Sequence, residues 1–361
     1  MVHLTHIPNP SSPDDATAWA VRAEARLWDA VLIEKMGEAD LARTVADRIS
    51  EWVAPEYFEV TRLVASDRPD PTRAEDVVGV GTLVLPMSDN LGLARLDVVV
   101  QADRRGEGIG RVLHSELDRL ARENGRTLAE TFTWEPAEAP AGVPVLESAT
   151  GSGRLDATTR EAVFLTRSGY RLNQVLRMSR LGLPVSHEAL RRLEAASGDY
   201  ECLTLFGPIP DDLLDAVAAL HVRMSTDVPV GDIDYEPEVW DEARVRAEEH
   251  SLEAGDRERL QTFVRHIPTG DLVGYTQLVK DRTVPDVVFQ WDTLVVGEHR
   301  GHGLGMLAKV TNHAAVWEYW PHAQRVITGN ASENQHMLAI NVTMGFEPYA
   351  CSGHWTRELV G

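Results

Sequence analysis

The chain has 361 residues, 43% hydrophobic and 25% charged, with a net charge of -21. That length exceeds what one core usually serves, so two domains are expected. The acidic balance argues against a nucleic-acid partner, which needs a basic surface, and leaves room for a cationic substrate.

Two distant cysteines, Cys202 and Cys351, without CxxC or zinc-ribbon spacing, fit a reduced, cytoplasmic protein. The opening residues lack the charged-then-apolar run of a signal peptide. No apolar stretch nears the roughly 18 residues of a membrane span, so no membrane partner is expected.

In chain order, Val2 to Ile7 reads as a strand. Ser12-Pro13-Asp14-Asp15 reads as a helix start, with a capping serine, proline in the first turn and acids at the positive end of the dipole. That helix runs through Ala20, Ala23 and Leu27, and a second is expected near Asp40 to Trp52. Tyr57 to Ala65, Val77 to Leu85 and Leu93 to Val100 read as strands, the first two separated by a charged, proline-bearing loop. The last enters a glycine-rich turn, and Ile109, Val112, Leu113, Leu117 and Leu120 then mark the buried stripe of a helix. Thr127 to Trp134 is expected as a strand, Glu135 to Ala157 as an inserted loop, Thr158 to Ser168 as a short helix and Arg171 to Leu183 as a closing strand. Pro184 stops it. Ser186 caps an expected linker helix through Ala196, which puts the domain division at 185/186.

The same order returns. Tyr200 to Leu205 is strand, Pro210 to Met224 helix, Ser225 to Pro237 an acidic loop, and Trp240 onward a charged helix. Leu260 to His266, Leu272 to Lys280 and Val287 to Val296 are strands, the last entering a second glycine turn. Leu304, Leu307, Ala308, Thr311 and Ala315 mark its helix. Arg325 to Thr328 is strand, Glu333 to Met344 helix, and the tail to Leu359 strand.

Shifting the chain by 195 residues makes the repeat explicit. Asp76-Val77-Val78-Gly79 falls on Asp271-Leu272-Val273-Gly274, Asp97 on Asp292, and Arg105, Gly106, Gly108 and Gly110 on Arg300, Gly301, Gly303 and Gly305. The register holds without a gap from 76 to 134 and breaks at the proline- and glycine-rich insertion. The expected architecture is therefore α/β, mixed α+β, in two tandem domains of 1–185 and 186–361.

Each turn, Arg-Gly-x-Gly-x-Gly, lacks the Lys-Ser or Lys-Thr of a P-loop and the GxGxxG spacing of a dinucleotide fingerprint. A glycine turn that opens a helix still bares backbone N–H groups to an anion, and the helix dipole adds to the attraction. Arg-x-x-Gly-x-Gly after a strand resembles the pyrophosphate loop of the GNAT superfamily, the acetyl-CoA-dependent N-acyltransferases. The block Thr328-Gly-Asn330-Ala-Ser-Glu-Asn334, with Ile340-Asn341 and Gly345-Phe346, is similar to that family's fifth strand and fourth helix. The resemblance covers nearly the whole chain as two GNAT-like domains, the tandem type that includes mycothiol synthase.

The resemblance implies acetyl-CoA as co-substrate, held by Arg300, Gly301, His302, Gly303, Leu304 and Gly305 and by the strand Leu294-Val295-Val296. The first copy offers Arg105, Gly106, Gly108, Gly110 and Val98-Val99-Val100. It implies cofactor or water contacts for Asn330 and Asn334, although Asn330 or Ser332 also suits a helix cap. It implies direct attack of an amine on the thioester, on a small molecule or on a protein lysine. A non-catalytic acyl-CoA sensor is the alternative outside enzymes. The family's usual tyrosine acid, four residues before Gly-Phe, is Asn341 here and Leu165 in the first copy.

Asp292 is the candidate base; its counterpart Asp97 also suits a shared structural hydrogen bond. Glu298 reads as a solvated charge. The acids from Asp227 to Glu236 read as a solvated loop or the lining of an amine site. Position 135 is Glu where the second copy has Asn330, which assigns catalysis to the second domain. The histidines show no ligand spacing, so no metal is expected, and a monomer or homodimer is.

Overall fold

The computed structural model describes residues 2–7, 9–50, 53–185 and 198–359; the expected linker helix from Ser186 lies outside them. The elements of the first half are β1 (His3–Ile7), α1 (Trp19–Met36), α2 (Val45–Ser50), β2 (Phe58–Ser66), β3 (Val77–Pro86), β4 (Leu93–Val100), α3 (Ile109–Glu123), β5 (Leu128–Glu135), β6 (Val145–Glu147), β7 (Arg154–Asp156), α4 (Arg160–Arg167) and β8 (Arg171–Gly182). Those of the second are β9 (Tyr200–Phe206), α5 (Leu214–Asp227), α6 (Glu242–Ala254), β10 (Arg257–His266), β11 (Leu272–Asp281), β12 (Val287–Val295), α7 (Leu304–Tyr319), β13 (Arg325–Ala331), α8 (Gln335–Met344) and β14 (Glu347–Glu358).

Two compact units result, Met1–Val175 with Cys351–Gly361, and Leu176–Ala350. They differ from the expected division at 185/186 because strand hydrogen bonds, rather than chain order, set their limits. Residues 176–182 of β8 pair with β13, and residues 351–358 of β14 pair with β5.

In the first unit the strands run β1-β2-β3-β4-β5-β14, all neighbours antiparallel except the parallel pair β4–β5. Helix α3 lays Ile109, Leu113 and Leu117 on one face, against Leu83 and Leu96. Helix α1 lays Ala20, Ala23 and Leu27 on the other, against Val64, Val80 and Val99. Each fully buried leucine contributes about 1.5–3 kcal/mol by leaving water. In the second unit the order is β8-β13-β12-β11-β10-β9, with β12–β13 the parallel pair. There Val310, Ile340 and Val326 fill one side, and Leu214, Val217, Val245 and Phe263 the other.

Three local expectations need correction. Helix α1 starts at Trp19 rather than at Ser12, because the Asp15 carboxylate accepts the backbone amides of Ser11 and Thr17 and closes a turn instead. The insertion after Glu135 holds the short antiparallel pair β6–β7. Asn334, and neither Asn330 nor Ser332, caps α8 by accepting the Met337 amide at 3.2 Å.

The first unit also buries a charge cluster. Glu24 accepts Arg48 Nη1 at 2.8 Å and Arg62 Nε, and all three residues are buried. Replacing Glu24 with Ala would leave two guanidiniums in the core without this counter-ion. We expect Glu24→Ala to cost about 3–5 kcal/mol in a urea unfolding curve.

Candidate active site

The two glycine turns are built alike, down to single hydrogen bonds. Gln101 N–H donates to Val78 O and Val296 N–H to Val273 O; Arg104 N–H donates to Gln101 O and His299 N–H to Val296 O. A short 3-10 turn follows each strand, Ala102–Arg104 and Gly297–His299. Gly108 (φ 87°) and Gly303 (φ 73°) then stand at the N-cap positions of α3 and α7 in the left-handed region. That conformation costs a residue with a Cβ roughly 1–2 kcal/mol. Among the described residues, the amides of Gly301, His302 and Gly303 have no acceptor. A Cβ placed on Gly301 would meet nothing within 4 Å. Free amides, open space and a helix N-terminus fit a pyrophosphate.

The arginines of the turns serve the scaffold. Arg300 Nε donates to Val295 O at 2.9 Å, and Nη2 meets Asp227 Oδ2 at 3.1 Å. Arg105 repeats this with Val100 O at 3.2 Å and Glu34 at 2.6 Å. Each therefore ties its turn to the helix across the sheet face, α5 or α1. His299 Nδ1 bonds the Tyr200 hydroxyl at 2.9 Å, and the His302 ring lies 5.6 Å from the same tyrosine.

In each unit the parallel strand pair opens towards the turn. Pairing ends at Gln290↔Thr328 in the second unit and at Arg95↔Glu130 in the first. Beyond those pairs, one edge of β12 and of β4 has no partner strand among the described residues. Ladder alternation decides which groups face the gap. Val296 N–H is spent on Val273 O, so Leu294 also faces β11, and Val295 turns to the gap. Its carbonyl is taken by Arg300, which leaves its N–H. By the same count Val98 and Val100 face the gap of the first unit and Val99 does not.

The units differ where the chemistry would occur. In the second, β12 carries a bulge: Gln290 pairs with Leu278 and Thr293 with Thr276, so Trp291 and Asp292 together oppose Gln277. In the first, Asp97 pairs with Thr82 in an unbroken ladder. Bulges re-aim side chains. Asp292 Oδ2 accepts the Tyr275 hydroxyl at 3.2 Å and Gln277 Nε2 at 3.1 Å. Burial, then the charge of Glu248, pushes its carboxyl up to about 6, against the pull of those two hydrogen bonds. Burial, followed by the charge of Asp292, drives the Tyr275 hydroxyl well above its ordinary range, so it stays a donor. Asp97 instead accepts Thr131 Oγ1 at 3.0 Å and lies 3.4 Å from Arg95.

Around Asp292 the fold gathers residues that sequence reasoning missed. His221 on α5 stacks on Trp240, ring centres 4.3 Å apart, and lies 5.3 Å from the Tyr275 ring. Burial lowers the His221 imidazole below its ordinary range, against the charge of Glu248. Burial opposes the charge of Glu248 on α6, but Arg259 and His221 outweigh it and lower its carboxyl below the ordinary range. The signal available was the repeat itself: 195 residues back, Tyr275 and Gln277 are Val80 and Thr82.

Asn330 and Asn334 separate. Asn334 is a helix cap, whereas Asn330 Oδ1 accepts Asn341 Nδ2 at 2.6 Å. At the place of Asn330 the first unit has Glu135, which pairs with Lys35 at 2.9 Å. Glu298 pairs with Arg223, at 3.4 Å, on the surface. A cavity of about 200 Å³ in the first unit is lined by Trp28, Arg48, Asp97 and Trp134, among others; it lies in the unit that lacks the bulge. Among the described residues no group of three or more His, Cys, Asp or Glu is placed to hold a metal, and no helix is long and apolar enough to cross a membrane.

No protein-family model and no curated protein matches the chain. Among solved structures, it is similar to a tandem GNAT protein from the clavulanic acid biosynthesis pathway, solved without acetyl-CoA. That likeness has 26% identity and a TM-score of 0.75 and covers 99% of both chains. A GCN5-related N-acetyltransferase from Sphaerobacter thermophilus matches at 12% identity and a TM-score of 0.62, over 99% of this chain and 96% of that one. A glucosamine N-acetyltransferase region in a fungal multi-domain β-N-acetylglucosaminidase matches at 14% and 0.59, over 98% of this chain and 38% of that one. The last two likenesses bear on the fold alone.

Proposed function

We propose that this chain, an acyltransferase with the tandem GNAT fold, moves an acetyl group from acetyl-CoA to a primary amine of a small molecule, and does so in its second unit. The observation that carries the reading is the bulge of β12. It sets Asp292, its carboxyl pushed up to about 6, beside the gap that runs from the amides at 301–303. A base that titrates near the working pH suits proton removal from an ammonium.

In this reading the pyrophosphate rests on the free amides at the N-terminus of α7, and the pantetheine arm follows the open edge of β12. The Val295 N–H polarises the thioester carbonyl; one such donor is worth about 10²–10³ in rate. Asp292 takes one proton from the ammonium, and the freed amine attacks the carbonyl carbon. A C–N bond forms and the C–S bond breaks. The second proton lost by nitrogen goes to the leaving thiolate, giving amide and free thiol. The surroundings favour a cation: Glu238 and Glu248 both raise the carboxyl of Asp292, so its neighbourhood is negative.

The test is thiol release from acetyl-CoA over a panel of small amines and a lysine peptide. Turnover with a small cationic amine is expected. Turnover only with the peptide would move the acceptor to proteins. Tight binding of acetyl-CoA without turnover on any acceptor would favour a sensor.

A further inference from the structure

Lys309 stands in the middle of α7 with no carboxylate within ion-pair distance among the described residues, and it is 1% exposed. Its Nζ lies 2.6 Å from Asn341 Oδ1 and 5.4 Å above the Phe346 ring. Asn341, also 1% exposed, donates its Nδ2 to Asn330 Oδ1 at 2.6 Å. Asn330 is half-buried on β13, two residues past Thr328, where β12 and β13 have parted. A buried lysine without a counter-charge is costly. Burial pulls its ammonium down to about 7. The string is absent from the first unit, where His114 holds the place of Lys309 and bonds Tyr170, and Leu165 and Glu135 hold the places of the two asparagines.

A side-chain amide has one accepting and one donating end. An ammonium only donates, so Asn341 must turn its oxygen to Lys309 and its NH₂ to Asn330. Asn330 must then receive that NH₂ on its oxygen, which leaves its own NH₂ directed away from α8. Resting on the acyl-transfer reading above, we propose that Lys309 is a positioning residue. Acting through Asn341, it turns the Asn330 amide so that an N–H donor faces the gap between β12 and β13, where the thioester sulfur departs. A hydrogen bond from Asn330 Nδ2 steadies the thiolate as the C–S bond breaks. No proton needs to pass along the string. The arrangement supplies a donor in a chain whose Asn341 replaces the expected acid.

Asn341→Asp is the decisive variant. A carboxylate accepts from Lys309 and also accepts from Asn330, so the Asn330 amide must reverse and present its oxygen to the gap. The new ion pair would strengthen the fold while it reverses the donor. Lys309→Met removes the lock and a buried cation, and the fold should survive it. We expect kcat to fall about 100-fold in Asn341→Asp and about 10-fold in Lys309→Met, with KM for acetyl-CoA within about twofold, the size of a lost hydrogen bond made in the transition state. Side-chain amide NMR of asparagine-labelled protein, assigned with Asn330→Asp, reads the orientation without any turnover. The Asn330 NH₂ should exchange rapidly with water in the wild type and be protected in Asn341→Asp. If the exchange rates are alike in both, or if a more stable Asn341→Asp keeps the wild-type kcat, the inference is wrong. If the exchange pattern holds but the wild type acetylates no amine, the orientation stands and the acyl-transfer reading fails.

Discussion

Asp292→Asn should lower kcat for acetyl transfer by about 10²–10⁴-fold, the range of a positioned general base, and should make the protein more stable at pH 8. The two effects have one cause. The Asp292 carboxyl is pushed from an ordinary 3.8 up to about 6 by burial and by the charge of Glu248. Because the folded-state value lies above the unfolded one, the folded protein holds this proton more tightly. The contribution to stability is therefore lost as pH rises from about 4 to about 6. Above that window the ionised group costs the fold on the order of 2 kcal/mol, with allowance for its partial contact with water. Asparagine keeps an oxygen for Tyr275 and Gln277 and removes the charge. A purely structural hydrogen bond predicts the opposite sign, a loss of stability with activity retained. Thermal melts at pH 5 and pH 8, beside initial rates, separate the two readings. The stability gain should appear at pH 8 and shrink at pH 5.

Gly303→Glu should abolish acetyl-CoA binding to the second unit, and turnover with it. Gly303 sits at φ 73° at the N-cap of α7, beside the free amides of Gly301 and His302. The new side chain would thus enter the space open to the pyrophosphate and bring a negative charge to it. Strain of roughly 1–2 kcal/mol from the left-handed backbone adds to the effect. Gly303→Ala carries that strain without the charge and should lose much less affinity. Calorimetric titration with acetyl-CoA reads both. Equal affinities of Gly303→Glu and wild type for the same number of sites would remove the turn from the cofactor site.

The repeat, the two turns and the strand-turn-helix units around them were legible because they depend on local chemistry. Glycine at positive φ and an apolar stripe at helical spacing act within a few residues. The same locality explains the misreading at Ser12, where a serine, a proline and two acids suit a helix start and an Asp15-closed turn equally well. The division of the units was not legible. Residues 351–358 of β14 alternate in a way that suits any strand, and only hydrogen bonding to β5 assigns them to the first unit.

Around Asp292 the limit is of another kind. Asp97 and Asp292 are the same residue at equivalent positions, and the difference between them is a backbone bulge that no residue at either position announces. Tyr275 and Glu248 act on it from two elements, and His221 packs on Tyr275 from a third, all spread over 55 residues of chain, a distance at which periodicity carries no information. Reading one copy against the other was the available route. The substitutions Val80 to Tyr275, Thr82 to Gln277 and His114 to Lys309 all fall where the second unit has polar chemistry and the first has packing or a local hydrogen bond.

The central claim is that Asp292, raised by its surroundings, is the base for acyl transfer in the second unit. Its most direct test is the pH dependence of kcat with an alkylamine acceptor, whose own titration near 10 lies outside the window. The account predicts that the rate falls below pH about 6 along a single-proton limb, and that the residual rate of Asp292→Asn lacks this limb. A limb that persists unchanged in Asp292→Asn, or a wild-type rate that stays flat down to pH 4.5, would contradict it.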